Sequence, residues 1–162
     1  MSFIDAVDKV EVPRPPKYYT EPNFEEVFGI PIAYRRKGNG EAVVFLHGAG
    51  FSRRWIPMYE MLAQQFDFIA PESPGFGETP MPPWFRNFTD LSIIYDQLFQ
   101  QLGLEKFHLI GYSMGGWSAS EFAAYYPRQL KSLTLITPVG LRVDDNPGVD
   151  IFQLSPQALM DR

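Results

Sequence analysis

One serine in this chain has neighbours that favour nucleophilic chemistry. Ser113 lies between Gly111 and Gly115 in a G-x-S-x-G pattern, within the segment EKFHLIGYSMGGWSASE that spans Glu105–Glu121. An apolar run precedes the pattern and a run of small residues follows it, which predicts a strand, a sharp turn and a helix. Such a turn puts the serine in a strained backbone conformation with its hydroxyl clear of the sheet. The flanking residues must be glycines because strand and helix pass too close together for side chains.

A second segment could supply the hydrogen-bond donors that a serine nucleophile needs. Acyl transfer develops negative charge on an oxygen, and backbone N–H groups near the serine can stabilise that charge. His47, Gly48, Ala49 and Gly50 directly follow the apolar run Ala42–Leu46. Glycines on both sides of Ala49 allow the backbone to approach a ligand closely. The segment therefore allows close backbone approach to a ligand, although the same residues also suit a plain turn after a strand.

The general base is harder to find, because the chain has only two histidines. His108 precedes Ser113 by five residues on the same predicted strand. At ~3.3 Å per residue it lies about 16 Å from the serine and cannot take its proton. His47 directly follows the apolar run Ala42–Leu46 and is the remaining candidate for the base. Three aspartates follow the last predicted strand, namely Asp144, Asp145 and Asp150, and surface charge on a loop is their ordinary explanation.

The segments that must position these residues alternate between strands and helices. Apolar runs predict strands at Ala42–Leu46, Phe66–Ala70, Lys106–Tyr112 and Ser132–Thr137. Helices are predicted over about Trp55–Gln65 and from an N-cap at Thr89 to a stop at Gly103. Asn23–Lys37 predicts two short antiparallel strands at a sheet edge. The alternation indicates the α/β class, with a mostly parallel sheet that carries helices on both faces.

Three motifs of the chain, in their order, resemble those of the α/β-hydrolase fold superfamily, in particular its cap-bearing serine hydrolase branch. They are HGAG at 47–50, SPGFG at 73–77 and GYSMGG at 111–116. The resemblance implies that Ser113 is the nucleophile and that the backbone N–H groups of Ala49 and Met114 form the oxyanion hole. The residues that would support these motifs structurally are His47, Gly48, Gly50, Gly111 and Gly115. One position departs from the family, since Glu72 stands where relatives usually have Asp.

The resemblance covers about residues 23–162 and implies that this chain is the N-terminal portion of such a hydrolase. Relatives place their catalytic histidine, and usually their acid, after strands that would follow Arg162. Some relatives place the acid after the sixth strand, where Asp144, Asp145 and Asp150 stand in this chain. We therefore expect an N-terminal extension over 1–22, the first part of the hydrolase core over 23–140 and the start of the cap over 141–162. The C-terminal strands and most of the cap would be lacking, and the triad would be incomplete.

The function expected of the full-length protein is hydrolysis of an ester-like or related bond in a small, largely apolar molecule. The 162-residue chain alone is expected to be inactive, because neither of its histidines suits the role of base. The resemblance also leaves open a C–C hydrolase, a lyase or a perhydrolase of the same fold. A non-catalytic relative that binds a partner or a small molecule in the same cleft is the other alternative.

Composition limits the partners and cofactors. The chain has 14 Lys+Arg against 19 Asp+Glu, a net charge of −5, which disfavours a nucleic-acid or anionic-membrane surface. It has no Cys and two scattered histidines, so no metal site and no cofactor are expected. Neither a signal peptide nor a membrane-spanning stretch is visible, which favours a cytoplasmic protein acting on a small-molecule substrate. The Ser132–Thr137 strand would form an exposed sheet edge, through which the chain could self-associate.

Overall fold

The computed structural model describes residues 16–141 together with positions 144, 155 and 157. Most of the predicted extension over 1–22 and most of the predicted cap region over 141–162 therefore lie outside the described residues. The same is true of two candidate acids, Asp145 and Asp150, while Asp144 lies exposed in a turn. The boundaries between extension, core and cap stay predictions.

Strands and helices alternate along the described residues, as predicted. The strands are β1 Asn23–Val27, β2 Ile30–Lys37, β3 Ala42–Leu46, β4 Asp67–Pro71, β5 Phe107–Tyr112 and β6 Leu130–Ile136. The helices are α1 Pro57–Ala63, α2 Phe88–Gln101 and α3 Met114–Tyr125, and a 3₁₀ turn at Pro127–Gln129 leads into β6. The ends of these elements lie within a few residues of the predicted ones.

All six of these strands join one sheet in the order β1-β2-β4-β3-β5-β6. β3 pairs in parallel with β4 and with β5, and β5 pairs in parallel with β6. β1 and β2 are antiparallel to each other, and β2 is antiparallel to β4. The predicted α/β class with a mostly parallel sheet is confirmed. Because parallel strands end at the same edge of a sheet, the turns after β3, β4, β5 and β6 lie along one edge.

Helices cover both faces of this sheet, as predicted. Successive residues of a strand point to opposite faces. Val44 and Leu46 of β3 therefore pack in the core formed with α2 and α3, while Val43 and Phe45 pack in the core formed with α1. The core on the side of α2 and α3 is the larger of the two. β3 is fixed from both sides, and this holds the segment that follows it.

The start of α2 differs from the prediction. Its N-cap is Asn87, whose side-chain oxygen accepts hydrogen bonds from the N–H groups of Thr89 at 3.0 Å and Asp90 at 3.2 Å. Thr89, the predicted N-cap, lies in the first turn instead, and its hydroxyl donates to Glu121 of α3. Asn and Thr both cap helices well, so residue type alone does not distinguish two positions that lie only two residues apart. The predicted N-cap was wrong. The predicted stop is confirmed, since Gly103 has a φ of +74° directly after the C-cap.

β6 lies at an edge of the sheet formed by the described residues. Leu133 is 39% exposed and Ile136 is 38% exposed, whereas Leu135 packs against the larger core. An unpaired strand with apolar side chains can pair with another chain. The self-association expected at this edge stays a prediction.

Candidate active site

Ser113 lies in the turn between β5 and α3, where its backbone is strained. Its φ of 53° and ψ of −117° lie outside the regions that L-residues prefer. The Ser113 N–H donates to the Ile136 carbonyl at 3.0 Å, and the Ser113 carbonyl accepts from the N–H groups of Gly116 at 2.9 Å and Val139 at 3.1 Å. The strained serine that the G-x-S-x-G pattern predicts is present, and the end of β6 helps to hold it.

Two glycines let the backbone segments around this turn come together. A Cβ on Gly111 would lie only 2.6 Å from the Ala119 Cβ, so β5 and α3 approach too closely for a side chain there. A Cβ on Gly115 would instead collide with the carbonyl oxygens of Leu46 and His47. The glycine on the helix side is therefore required mainly by the end of β3. The sequence-based explanation, which invoked only the serine's own strand and helix, is incomplete for this residue.

The residues after β3 lie directly against the serine. We call residues 48–52 the glycine loop. A Cβ on Gly48 would be 3.0 Å from the Ser113 Cβ and 2.9 Å from the Tyr112 ring, so only a glycine permits this approach. The Phe51 N–H donates to the Gly48 carbonyl at 3.0 Å and closes a tight turn, while the Phe51 ring packs edge-on against Tyr112. Ala49 is exposed in this turn. The structure thus brings the glycine loop and the serine together.

Met114, the other predicted donor, is the first residue of α3. The first N–H groups of a helix have no carbonyl partner within the helix and carry the positive end of its dipole. In α3 the N–H groups of Gly116 and Trp117 turn back to the Ser113 carbonyl, at 2.9 and 3.4 Å. The Met114 N–H belongs to the same first turn, so positive potential and donor groups lie beside the serine.

His47 is buried, and both of its ring nitrogens are engaged. The Ser73 N–H donates to Nε2 at 3.0 Å, which makes Nδ1 the protonated nitrogen, and Nδ1 donates to the Gly48 carbonyl at 2.9 Å. Burial lowers the pKa of His47 below its ordinary value, so the ring is held neutral. His47 ties the end of β3 to the segment after β4, and neither nitrogen is free to serve as a base for Ser113.

His108 lies near the start of β5, while Ser113 follows its end. Its Nδ1 hydrogen-bonds the Ser132 hydroxyl at 2.8 Å, and its Nε2 hydrogen-bonds the Glu41 carboxylate at 2.9 Å. The length of β5 therefore separates His108 from the serine, in agreement with the argument from residue spacing. Neither histidine of this chain is placed to accept the Ser113 proton.

A buried charge cluster lies behind the glycine loop. Glu72, which follows β4, is 1% exposed. Its carboxylate accepts hydrogen bonds from Arg35 Nη1 at 2.5 Å, from the Arg53 N–H at 2.9 Å and from the Glu78 N–H at 2.6 Å. Sequence reasoning missed this cluster, because no short-range pattern links Glu72 to Arg35 or to Arg53. The Glu at a position where relatives usually have Asp is the one signal that could have drawn attention to it.

A cavity of about 330 Å³ lies outside the serine site. Its lining residues are Phe28, Trp84, Arg86, Asp90 and Ile93, none of which belongs to the three motifs. Trp84 lines this cavity, whereas Trp55 packs against the smaller core, so the two aromatics have different roles. In the part of the chain that the structure describes, no group of three or more His, Asp or Glu side chains is arranged to hold a metal ion.

Comparison with known proteins identifies the family. The alpha/beta hydrolase fold family matches residues 41–161. The chain belongs to the alpha/beta hydrolase fold family. The match includes both the glycine loop and the serine turn. The resemblance drawn from HGAG, SPGFG and GYSMGG is confirmed.

Proteins similar to this chain have several activities. This chain is 32% identical to the dihydrolipoyllysine-residue acetyltransferase component of the acetoin cleaving system of Cupriavidus necator, over 77% of this chain and 34% of that protein. It is 38% identical to the pimeloyl-[acyl-carrier protein] methyl ester esterase of Legionella pneumophila, over 70% of this chain and 46% of that protein. The solved structure of a meta-cleavage product hydrolase from Pseudomonas fluorescens is 27% identical in sequence to this chain and has a TM-score of 0.68. The match covers 75% of this chain and 47% of that chain.

The chain spans about a third to a half of the length of these curated relatives. Hydrolases are prominent among the alpha/beta hydrolase fold proteins that it resembles. Among the described residues, no helix combines the length and the apolar character needed to cross a bilayer.

Proposed function

We propose that this chain supplies the nucleophile and the oxyanion hole of a serine hydrolase that cleaves an ester-like or related bond in a small, largely apolar molecule. Ser113 attacks the carbonyl carbon, and the N–H groups of Ala49 and Met114 stabilise the oxyanion. The observation that carries the proposal is the close contact between the Gly48 backbone and the strained Ser113 at the start of α3.

The proposed chemistry depends on donors that need no rearrangement during the reaction. When the Ser113 oxygen bonds to the carbonyl carbon, the electron pair of the carbonyl bond moves onto its oxygen. Backbone N–H groups on the glycine loop and at the helix start are already fixed by the fold, and removing one such donor typically lowers kcat about 10²- to 10³-fold. Ala49 is exposed in the glycine loop, so a ligand can reach this residue.

The general base of this mechanism is not one of the two histidines in the chain. His47 accepts a hydrogen bond from Ser73, and His108 is bonded to surface partners near the start of β5. We propose that a histidine and an acid beyond Arg162 complete the triad, in the portion of the relatives that this chain does not span. Because both histidines of the chain are engaged elsewhere, the proposed nucleophile depends on that further histidine to take its proton.

Fluorophosphonate labelling of the full-length protein tests the nucleophile. The probe is expected to label Ser113, and Ser113→Ala is expected to abolish labelling. Ser120→Ala is the matched control, since Ser120 lies on the same helix and its hydroxyl donates to the Gly116 carbonyl at 2.8 Å. Labelling that survives Ser113→Ala would place the nucleophile elsewhere and overturn the proposal.

The 162-residue chain by itself allows a second measurement. Labelling is expected to be weak or absent, and hydrolysis of p-nitrophenyl esters is expected at background, with no change in His47→Ala. Donor groups alone can leave a faint rate above water, so the comparison with the variant decides the result. A rate well above background that His47→Ala removes would show that His47 acts as the base.

Hydrolysis of a carbon–carbon bond is a second candidate within the same family. The likeness to a meta-cleavage product hydrolase favours it. The serine and the oxyanion donors are compatible with both reactions, so product analysis with an ester series and with a vinylogous diketone distinguishes them. Turnover of the diketone alone would replace the ester-hydrolase proposal.

A non-catalytic binding protein is the candidate from another class. The engagement of both histidines in structural hydrogen bonds favours it. The coding sequence after Arg162 separates the two possibilities, because a serine hydrolase of this fold requires further strands and a histidine there.

A further inference from the structure

We propose that Glu72, held by Arg35, is the positioning residue for the glycine loop and thereby sets the Ala49 N–H beside Ser113. The catalytic consequence rests on the proposed function. The mechanical part rests only on the contacts of the loop.

The glycine loop is tied at both ends to two adjacent residues. At its start, His47 Nε2 accepts a hydrogen bond from the Ser73 N–H at 3.0 Å. At its end, the Arg53 N–H donates to the Glu72 carboxylate at 2.9 Å. Both supports directly follow β4, an inner strand of the sheet. The loop therefore closes on one rigid segment, with Ala49 exposed between the two attachment points.

The Glu72 attachment holds Arg53 in a conformation that its residue type disfavours. Arg53 has a φ of +63°, in the left-handed region that a long side chain rarely occupies. Besides its bond to Glu72, Arg53 donates through Nε to the Glu78 carboxylate at 2.8 Å, and its guanidinium lies 5.2 Å from the centre of the Tyr19 ring. Such strain persists only where the surroundings fix the backbone in several ways. The end of the glycine loop is therefore actively held.

Glu72 can hold the loop because its own carboxylate is immobilised. Arg35 Nη1 donates to the same oxygen that accepts from Arg53, and the Glu78 N–H donates to the other oxygen. The side chains of Arg35 and Glu72 are 4% and 2% exposed. Gly77 provides the room, since a Cβ there would collide with the Glu72 carboxylate and lie 2.8 Å from Arg53 Cγ. A buried carboxylate with three donors has one position, and the loop end takes its position from it.

Hydrogen–deuterium exchange of the whole chain tests this positioning directly. Glu72→Gln keeps the side-chain length, removes the charge and turns one acceptor into a donor. Amide exchange over residues 48–55 is expected to rise about tenfold or more, because local opening no longer breaks the bond to the carboxylate. Exchange over the serine turn, residues 111–119, is expected to stay as in the wild type.

Kinetics of the full-length protein test the catalytic consequence. Glu72→Gln is expected to lower kcat about 10- to 100-fold with KM changed less than about threefold, because a displaced oxyanion donor weakens the transition state more than the bound substrate. A purely structural role would lower the melting temperature and leave kcat per folded molecule unchanged.

Two further variants separate positioning from general destabilisation. Asp67→Asn makes the same change from acid to amide on β4 and breaks the pair with Arg36 at 2.6 Å, away from the loop. It is expected to change neither the exchange over 48–55 nor kcat. Glu72→Asp keeps a charge beside Arg35, which protects the fold, but draws the carboxylate back by about 1.5 Å. Its exchange over 48–55 is expected to rise less than in Glu72→Gln.

Exchange over 48–55 that equals the wild type in both Glu72 variants would overturn the inference, and so would an equal rise over the whole chain. Raised exchange with unchanged kcat would overturn its catalytic half. These results do not depend on the identity of the nucleophile. If labelling survived Ser113→Ala, the proposed function would fail while the exchange result kept its meaning.

Discussion

The glycine loop is held on its two sides by different kinds of contact. On the serine side, glycines allow close steric approach, with Gly48 against Ser113 and the Tyr112 ring and Gly115 against the carbonyl oxygens at the end of β3. On the other side, the buried Glu72 carboxylate accepts hydrogen bonds from the Arg35 guanidinium and from the backbone N–H groups of Arg53 and Glu78. Close backbone approach requires glycines at fixed short spacings, whereas a buried charge cluster can draw its partners from anywhere in the chain. The first kind of support therefore leaves short motifs in the sequence, whereas the second leaves Gly77 of SPGFG but no pattern that identifies Arg35 as the partner of Glu72.

Substitutions on the two sides of the glycine loop are expected to destabilise the protein for different reasons. A side chain added on the serine side has no room, because protein interiors are close-packed. A charge removed on the Glu72 side weakens the compensation of its buried partner, since Arg35 then keeps only the more distant Glu78 carboxylate at 3.7 Å. The free energies of unfolding of variants on each side measure these two effects and test the difference between the two kinds of contact.

The largest effect is expected on the charged side. Arg35→Met leaves the Glu72 carboxylate buried without its cation, and breaking a buried pair typically costs about 3–5 kcal/mol of the free energy of unfolding. The double variant Arg35→Met/Glu72→Leu is expected to recover part of this loss, with a coupling of about 1 kcal/mol or more in denaturant unfolding. Strictly additive losses would mean that the two residues do not act as a unit.

Gly115→Ala tests the backbone side. Its Cβ would collide with the carbonyl oxygens of Leu46 and His47, and overpacking of this kind typically costs about 1–3 kcal/mol. Gly50→Ala is the matched control in the same loop region, because a Cβ there has no atom within 4 Å. That variant is expected to change the free energy of unfolding by less than about 0.5 kcal/mol. If both variants unfold at the same denaturant concentration, the close approach at Gly115 is not required.

His47 connects the two sides, and its titration gives a smaller, pH-dependent effect. Burial lowers the pKa of His47 in the folded state, while the unfolded chain keeps the ordinary value of about 6.5. The unfolded state then binds a proton at a pH where the folded state does not. This contribution to stability is complete above about pH 6.5 and is lost as the pH falls toward the lower, folded pKa.

The free energy of unfolding is therefore expected to fall between about pH 7.5 and pH 5, more steeply in the wild type than in His47→Asn. All other titrating groups are shared by the two proteins, so the difference between their slopes reports on His47. Identical slopes in chemical denaturation would contradict the buried, neutral state of this ring.

The smallest effect is expected at the end of the sheet where β3, β5 and β6 begin. Glu41 pairs with His108 at 2.9 Å and with Lys131 at 3.0 Å, but its carboxylate is exposed. Water and salt screen such pairs, so they contribute little. Glu41→Gln is expected to leave the melting temperature unchanged within replicate scatter. A clearly lower melting temperature of Glu41→Gln at low salt, absent at high salt, would show that exposed ion pairs stabilise this protein and would weaken the contrast with the Glu72 cluster.

Much of the fold was predictable because its signals are local. β3 and β5 are short apolar runs, and the alternation with helical segments indicates a parallel sheet covered on both faces. The serine turn was predictable for the same reason. The predicted N-cap of α2 was wrong because Asn87 and Thr89 are both good caps; in the structure Asn87 accepts from the first N–H groups of the helix, while the Thr89 hydroxyl donates to Glu121. The reason for Gly115 was incomplete because its contact lies on another strand.

The sequence by itself determined the position of the serine turn, since Gly111 and Ser113 act within one strand–turn–helix unit. Only the tertiary structure decided that the glycine loop meets that turn and that Glu72 pairs with Arg35, 37 residues away. Both contacts depend on strand order, with β3 beside β5 and β2 beside β4. A local pattern of apolar and small residues specifies which segments form strands, but not which strands become neighbours, and a buried ion pair forms only between segments that the finished sheet has placed side by side.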